Sequence, residues 1–270
     1  MPLHVDEQLQ MSDHPLIDRV GELLETHDCL YGMICRDATL TDIELMAQAG
    51  YHVVWLDLEH GPQSTQVAIE LGRTISHLGM VPLVRIPELS RTYMQILLDG
   101  GIQIMTLPDV RSVEQTRRFV QLGKYPPMGQ RGVSSSSAGI GFNLGNDPEE
   151  TLRQANQATY LMVMIESDEG FDALDTILAV DGIGMITIGP ADWATSLGLF
   201  GSDADSHLAP KIERVLRAAA DAGVICTMTA GNAERTAYYR DLGARIIFAG
   251  VDVNLTRRTL CEALDAVSHA

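Results

Sequence analysis

An aspartate three residues before a histidine, in the stretch Trp55–Pro62 (WLDLEHGP), is a combination that can move protons near neutral pH. A carboxylate beside an imidazole orients the ring and raises its basicity, so Asp57 and His60 are candidates for a general-base pair. Two further acids, Glu166 in MIES and Asp192 in IGPAD, each follow a short apolar run. Their hard oxygen atoms suit Mg2+ or Mn2+, ions that keep open positions for water and substrate. Arg85 lies inside the run Val81–Ile86, where an anionic substrate group would offset its desolvation. Plainer readings stand beside these. Asp192 opens DWATSLG and suits a helix N-cap, and a lone acid at a strand end commonly caps the helix that follows. Arg85 can instead form a buried ion pair with Asp57 or Glu59. His4, His14, His77 and His269 lack any such setting and read as surface or satisfied core residues.

These residues need elements to bring them together. Short β-branched and apolar runs occur at Tyr31–Cys35, His52–Leu58, Val81–Ile86, Gln103–Val110, Tyr160–Ser167, Gly184–Pro190, Ile225–Ala230 and Arg245–Asp252. Helical periodicity fills the gaps, at Thr41–Gly50, Gln66–Gly79, Ser112–Gly123, Pro210–Gly223 and Ala233–Gly243, with Pro210 suited to a first helical position. Strand followed by helix implies parallel strands. Eight such units in one chain read as a single (β/α)8 TIM barrel over residues 1–270. An open doubly wound sheet is the competing architecture, but no strand–helix junction carries G-x-G-x-x-G. In the barrel, the carboxyl ends of the strands form the active face. The polar residues there are Arg36, then Asp57, Glu59 and His60, then Arg85, Asp109, Glu166 and Asp192. The connection from Lys124 to Ala158, rich in Gly, Pro and Ser, is long enough to be functional; whether part of it borders the site is left open by its start after the Ser112–Gly123 helix. Thr256–Val267 reads as an amphipathic helix that closes the barrel or reaches a neighbouring subunit.

Composition narrows the function. The 270 residues carry 36 acids against 19 Lys plus Arg, a formal charge of −17. That excess argues against nucleic acid or an anionic membrane as main partner, because phosphate binding needs clustered cations. No apolar stretch approaches the roughly 18 residues that cross a bilayer, and the N-terminus has no basic start followed by an apolar core. Four cysteines without metal-ligand spacing suit a reducing compartment, the cytoplasm. Only two lysines occur, Lys124 and Lys211, and neither falls on a strand candidate. Schiff-base aldolase chemistry needs a desolvated lysine inside a barrel. Carbanion chemistry in this barrel would therefore use a metal to stabilise an enolate.

In this order and spacing WLDLEHGP, VPLVRIP (Val81–Pro87), YPPMGQRGV (Tyr125–Val133), MIES, IGPAD and AGVD (Ala249–Asp252) resemble the HpcH/HpaI aldolases, the metal-dependent class II pyruvate aldolases. The resemblance runs from about Tyr31 to Val267. It implies that Glu166 and Asp192 hold a divalent ion, Mg2+ or Mn2+ with Co2+ or Zn2+ as further options, which chelates a 2-oxo acid. It implies that backbone amides around Gly189, Ala191 and Asp192 bind the substrate carboxylate, and that Arg85 stabilises the enolate. His60, oriented by Asp57, would be the base on the 4-hydroxyl, with Asp99 of a neighbouring subunit completing the network. The implied assembly is a hexamer, a trimer of dimers with its last helix swapped, acting on a small 2-oxo acid and an aldehyde.

The chain departs from the family pattern in three places. Met164 stands where many members have Gln, Ile34 where many have Trp, and Ala191-Asp192-Trp193-Ala194 replaces ADLS. These changes are expected to alter the wall beside the aldehyde half. Arg36 either reads a distal carboxylate there or forms a surface salt bridge. Three other functions stay open at this stage. One is metal-dependent oxaloacetate decarboxylation through the same enolate. Another is a phosphate-binding isomerase, which the loops TAGN and AGVD support weakly. The third is a non-catalytic 2-oxo-acid-binding barrel.

Overall fold

The computed structural model of the chain describes residues 17–268. His4, His14 and His269 lie outside them. Eight parallel strands close into a barrel in chain order: β1 (Leu30–Cys35), β2 (Val53–Asp57), β3 (Val81–Arg85), β4 (Ile104–Leu107), β5 (Tyr160–Ile165), β6 (Met185–Ile188), β7 (Ile225–Thr229) and β8 (Ala244–Val251). The strands are buried on both faces, which is why each reads as a continuous apolar run. Alternate residues serve two cores. Val53, Trp55, Leu83, Ile104, Met162, Met185 and Phe248 fill the interior. Val54, Leu56, Val84, Met105, Val163 and Ile186 face the helices. Gly32 makes the closure possible, because a Cβ there would stand 2.6 Å from the Phe248 ring and 2.8 Å from the Val53 carbonyl.

Helices alternate with the strands: α1 (Arg19–Thr26), α2 (Leu40–Ala49), α3 (Thr65–His77), α4 (Arg91–Asp99), α5 (Val113–Gly123), α6 (Pro148–Ala158), α7 (Asp168–Asp172), α8 (Leu174–Leu178), α9 (Pro190–Ser196), α10 (Gly201–Asp221), α11 (Ala233–Asp241) and α12 (Asp252–Ser268). Several begin at side chains that accept an orphan amide of the first turn: Thr39, Ser64, Ser90, Ser112 and Asn232. α1 closes the amino end of the barrel, placing Val20 in the interior core, while Asp18 accepts the Tyr160 hydroxyl. α12 follows β8 directly and buries none of its residues.

One expectation changes and one open alternative is decided. Pro210 does not start its helix; α10 begins at Gly201 and carries Pro210 inside it. Ala204, Leu208, Ile212, Val215 and Ala219 form one buried stripe across that proline, and packing outweighs the lost hydrogen bond. The Lys124–Ala158 connection does not border the strand-end rim. It folds into a short 3-10 turn (Ala138–Ile140) and α6 around Tyr125, Ile140 and Ala155, against α4.

Both lysines are structural in position. Lys124 is buried, and its Nζ donates to the carbonyls of Asn156 and Thr159, at the amino end of β5 and thus opposite the rim. Burial, assisted by Arg131, lowers its pKa to about 8. Lys211 on α10 donates to Asp168. Replacing Lys124 by Met should strand two carbonyls and cost about 1–3 kcal/mol. Urea unfolding measures that loss, while the chemistry at the opposite face should persist.

Candidate active site

The site is built at the carboxyl ends of β2, β3, β5 and β6. Asp57 and Arg85 are register partners at the ends of β2 and β3. Arg85 Nε donates to Asp57 Oδ1 at 2.9 Å and Nη2 to Oδ2 at 2.5 Å, a bidentate pair whose members are both buried. Asp57 Oδ1 also accepts the backbone amides of Glu59 and His60, at 3.1 and 3.2 Å. Burial works to raise the Asp57 pKa, but hydrogen bonds and charge from Arg85 outweigh it and hold the carboxyl below its usual range. The guanidinium also lies 5.7 Å from the centre of the Trp55 ring.

This arrangement corrects the expected Asp57–His60 dyad. Asp57 holds the backbone of His60, and its oxygens are committed to Arg85 and two amides. The carboxylate facing the imidazole is Glu59, whose Oε2 lies 3.7 Å from His60 Nε2 and 3.0 Å from Arg85 Nη1. Glu59 thus bridges the candidate base and the buried cation. Sequence reading placed it at the same strand end and offered it only as an ion partner for Arg85. Its spacing in DLEHGP was the available signal, since the turn that follows β2 folds it back over the mouth. Burial raises the Glu59 pKa against the opposing pull of Arg85 and His60.

On the other side, Glu166 just beyond β5 is buried. Its Oε1 accepts the Asp109 amide at 2.6 Å, while its Oε2 is buried with no partner among the described residues. Asp109 delivers that amide from a left-handed conformation, φ 48°, which Asp tolerates better than most residues. Burial, reinforced by Asp192 and Glu59, pushes Glu166 up to about 7. Gly189, immediately after β6, leaves room for this carboxylate: a Cβ there would stand 2.2 Å from Glu166 Oε2. α9 starts at Pro190 with Gly189 as N-cap, so Asp192 occupies its first turn rather than its cap and makes no capping bond.

Among the described residues no three His, Cys, Asp or Glu side chains form a metal-binding group. The donor set here is two carboxylates, one with a desolvated, unpartnered oxygen. It fits a hard divalent cation that takes its remaining ligands from water and substrate. Such an ion would compensate the buried charge that now raises Glu166.

The remaining candidates are distributed differently. Ala191 and Asp192 are exposed at the rim. Asp99 ends α4 in the outer helical layer, where Arg131 holds Oδ1 and Gln95 holds Oδ2, both at 2.7 Å, and among the described residues it meets none of the rim. Met164 faces the interior with Sδ 4.0 Å from Arg85 Nη1. Ile34 packs on the interior core. Trp193 does not shape the wall as expected: it is fully buried in the outer core beside Phe171 and donates to Asp168.

Comparison with known proteins follows the same lines. A sequence profile of the HpcH/HpaI aldolase/citrate lyase family matches residues 32–259. A hydroxypyruvate/pyruvate aldolase of Roseovarius nubinhibens is 33% identical over 89% of this chain and 93% of its own. A 4-hydroxy-2-oxo-heptane-1,7-dioate aldolase of Salmonella dublin is 33% identical over 83% of this chain and 84% of its own. The crystal structure of an HpcH/HpaI aldolase from Desulfitobacterium hafniense superposes with a TM-score of 0.85 at 28% identity, covering 93% of this chain and 97% of that one.

Two measurements check the carboxylate half. Gly189→Ala should leave the barrel folded by circular dichroism yet weaken Mn2+ binding about tenfold or more, because it displaces a ligand. Metal-free, Glu166 binds its proton more tightly folded than unfolded, so its contribution to stability is lost as pH rises from about 4.5 to about 7. Thermal melts in chelator should show that fall, and Glu166→Gln should remove it.

Proposed function

The chain belongs to the HpcH/HpaI aldolase/citrate lyase family, and on that premise we propose that it is a metal-dependent aldolase. It cleaves a 4-hydroxy-2-oxo acid reversibly into pyruvate, or a close analogue, and an aldehyde. The observation that carries this reading is the meeting at one barrel mouth of an open pair of acids, Glu166 and Asp192, with a rim histidine and a buried arginine. The activities named for the relatives, pyruvate and 4-hydroxy-2-oxo-acid aldolases, support it.

Glu166 and Asp192 would hold the ion, Mg2+ or Mn2+ with Co2+ or Zn2+ as further options, which supplies Lewis-acid stabilisation of the developing enolate. The protein's own groups do the rest. The exposed amides of Ala191 and Asp192, beside Gly189 in the first turn of α9, receive the substrate carboxylate. His60 takes the proton of the C4 hydroxyl as the C3–C4 bond breaks, releasing the aldehyde. Arg85, fixed by Asp57, faces the negative charge that grows on the former keto oxygen. Glu59 keeps the imidazole and guanidinium in register. A proton delivered to C3 completes pyruvate, and the reverse order of steps makes the new bond.

The assembly belongs to this proposal too. Leu260, Leu264 and Val267 of α12 are 65%, 64% and 72% exposed, an apolar surface that a second copy of the chain would cover. We read the protein as a homohexamer built as a trimer of dimers, with α12 exchanged between copies and Asp99 of one subunit serving His60 of another. Its buried, free Cys29, Cys35 and Cys226 support a cytoplasmic location. No helix among the described residues is long and apolar enough to cross a membrane.

Solvent deuterium exchange at the pyruvate methyl group, followed by NMR, tests enolate formation without knowledge of the aldehyde. Exchange should require added Mg2+ or Mn2+ and stop in chelator; exchange surviving complete metal removal would sink the metal-dependent reading. His60→Ala should slow cleavage by about 10²–10⁴-fold and slow methyl exchange less, since His60 acts at C4. For the assembly, light scattering of the Leu260→Glu/Leu264→Glu double variant should show a smaller particle than the wild type.

A further inference from the structure

The aldolase reading leaves Arg36, a cation of the mouth, unused. Arg36 follows β1 on the same alternation as Leu30, Gly32 and Ile34, which points its side chain toward the barrel axis at the rim. Its backbone is anchored, because Asp252 accepts the amides of Arg36 and Asp37. Its guanidinium is not. Among the described residues it makes no hydrogen bond, and its one carboxylate neighbour is Asp57 Oδ2 at 3.9 Å. That oxygen is already bound by Arg85 Nη2 at 2.5 Å. Arg36 is therefore a half-exposed cation with a fixed base and an uncommitted fork of donors, beside the Asp57 carboxylate that also holds the His60 amide.

The strand order fixes what Arg36 can meet. In the closed barrel β1 neighbours β2, which carries His60, while the carboxylate end of the substrate belongs to β5 and β6. A 4-hydroxy-2-oxo acid laid from Glu166 and Asp192 toward His60 points its carbons beyond C4 at β1. The mouth is otherwise rich in acids, Asp57, Glu59, Glu166, Asp192 and Asp252 among them, and its other cations are paired, Arg85 with Asp57 and Glu59 and Arg111 with Asp109 and Glu169, in a chain of formal charge −17. A second anionic group on the substrate would be repelled there unless a free cation received it. Arginine suits that task, because its planar fork matches carboxylate and phosphate alike.

We propose that Arg36 is the specificity-determining residue for the aldehyde half, selecting aldehydes that end in an anionic group, carboxylate or phosphate. The proposal rests on the aldolase reading and adds the substrate class.

Pyruvate with Mg2+ would be offered matched aldehydes in the synthetic direction: succinic semialdehyde against butanal, and glyceraldehyde 3-phosphate against glyceraldehyde. In each reaction C3 of pyruvate loses a proton and bonds to the aldehyde carbon, whose oxygen takes a proton. The expected result is a wild-type kcat/KM favouring the charged member of at least one pair by about tenfold or more. Arg36→Gln should collapse that ratio, Arg36→Lys keep part of it, and Arg36→Glu turn it against the anion. Collapse in the semialdehyde pair assigns a carboxylate, and collapse in the phosphate pair assigns a phosphate. A ratio equal in wild type and Arg36→Gln, or no preference in either pair, overturns the proposal while methyl exchange still upholds the aldolase. If the wild type gives no methyl exchange with metal present, the aldolase reading falls and the proposal with it.

Discussion

The pairing of Asp57 with Arg85 is the interaction on which the rest of the mouth depends. A guanidinium cannot be placed inside a barrel without a partner, because desolvating it costs several kcal/mol. In-register pairing of β2 with β3 puts the carboxylate beside it. Once formed, that pair decides the duties of its neighbours. Asp57 is turned to Arg85 and to two backbone amides and not to the imidazole ring, so Glu59 becomes the acid that His60 meets. Arg85 keeps Nη1 turned toward Glu59 and Met164. Arg36, arriving third, finds Asp57 taken and remains uncommitted.

Across the mouth a different constraint operates. Glu166 is buried with one oxygen bound by an amide and the other by nothing, and like charges from Asp192 and Glu59 raise its pKa further. Two features make room for this unfavourable arrangement: the absent side chain at Gly189 and the left-handed turn at Asp109. A folded protein holds such a group when something outside the chain compensates it. The two halves then divide the chemistry. Paired charges on β2 and β3 give a rigid platform for proton transfer, and uncompensated charge on β5 and β6 gives a receptive one for a cation.

Much of this was legible in the residues. Continuous apolar runs alternating with helical periods gave all eight strands to within a few residues, because parallel strands buried on both faces leave an unmistakable pattern. The residues at their ends then named the rim. Less visible were relationships that pass through the backbone or through space. The Asp109 amide carries no side-chain signature, and the role of Gly189 is the room it leaves. Trp193, as part of the departure from ADLS, reads in the sequence as a change to the wall of the site. One residue further along α9, about 100° around the helix, the side chain points away from the axis, and Trp193 lies in the outer core. Pro210 misled for a similar reason: a local start signal was overridden by a buried stripe that extended past it.

What the amino-acid sequence determined by itself is therefore the barrel, the family resemblance and the set of chemically competent residues at the strand ends. Periodicity and residue type are local properties, and a repeating fold makes position along each strand equivalent to position at the rim. Only the tertiary structure decided which of these residues touch. Asp57 went to Arg85 instead of the His60 ring, Glu59 became the bridge, and Asp99 went outside the mouth to Arg131. The physical reason is competition: each buried charge takes the best-placed partner in three dimensions, and sequence distance does not rank those partners.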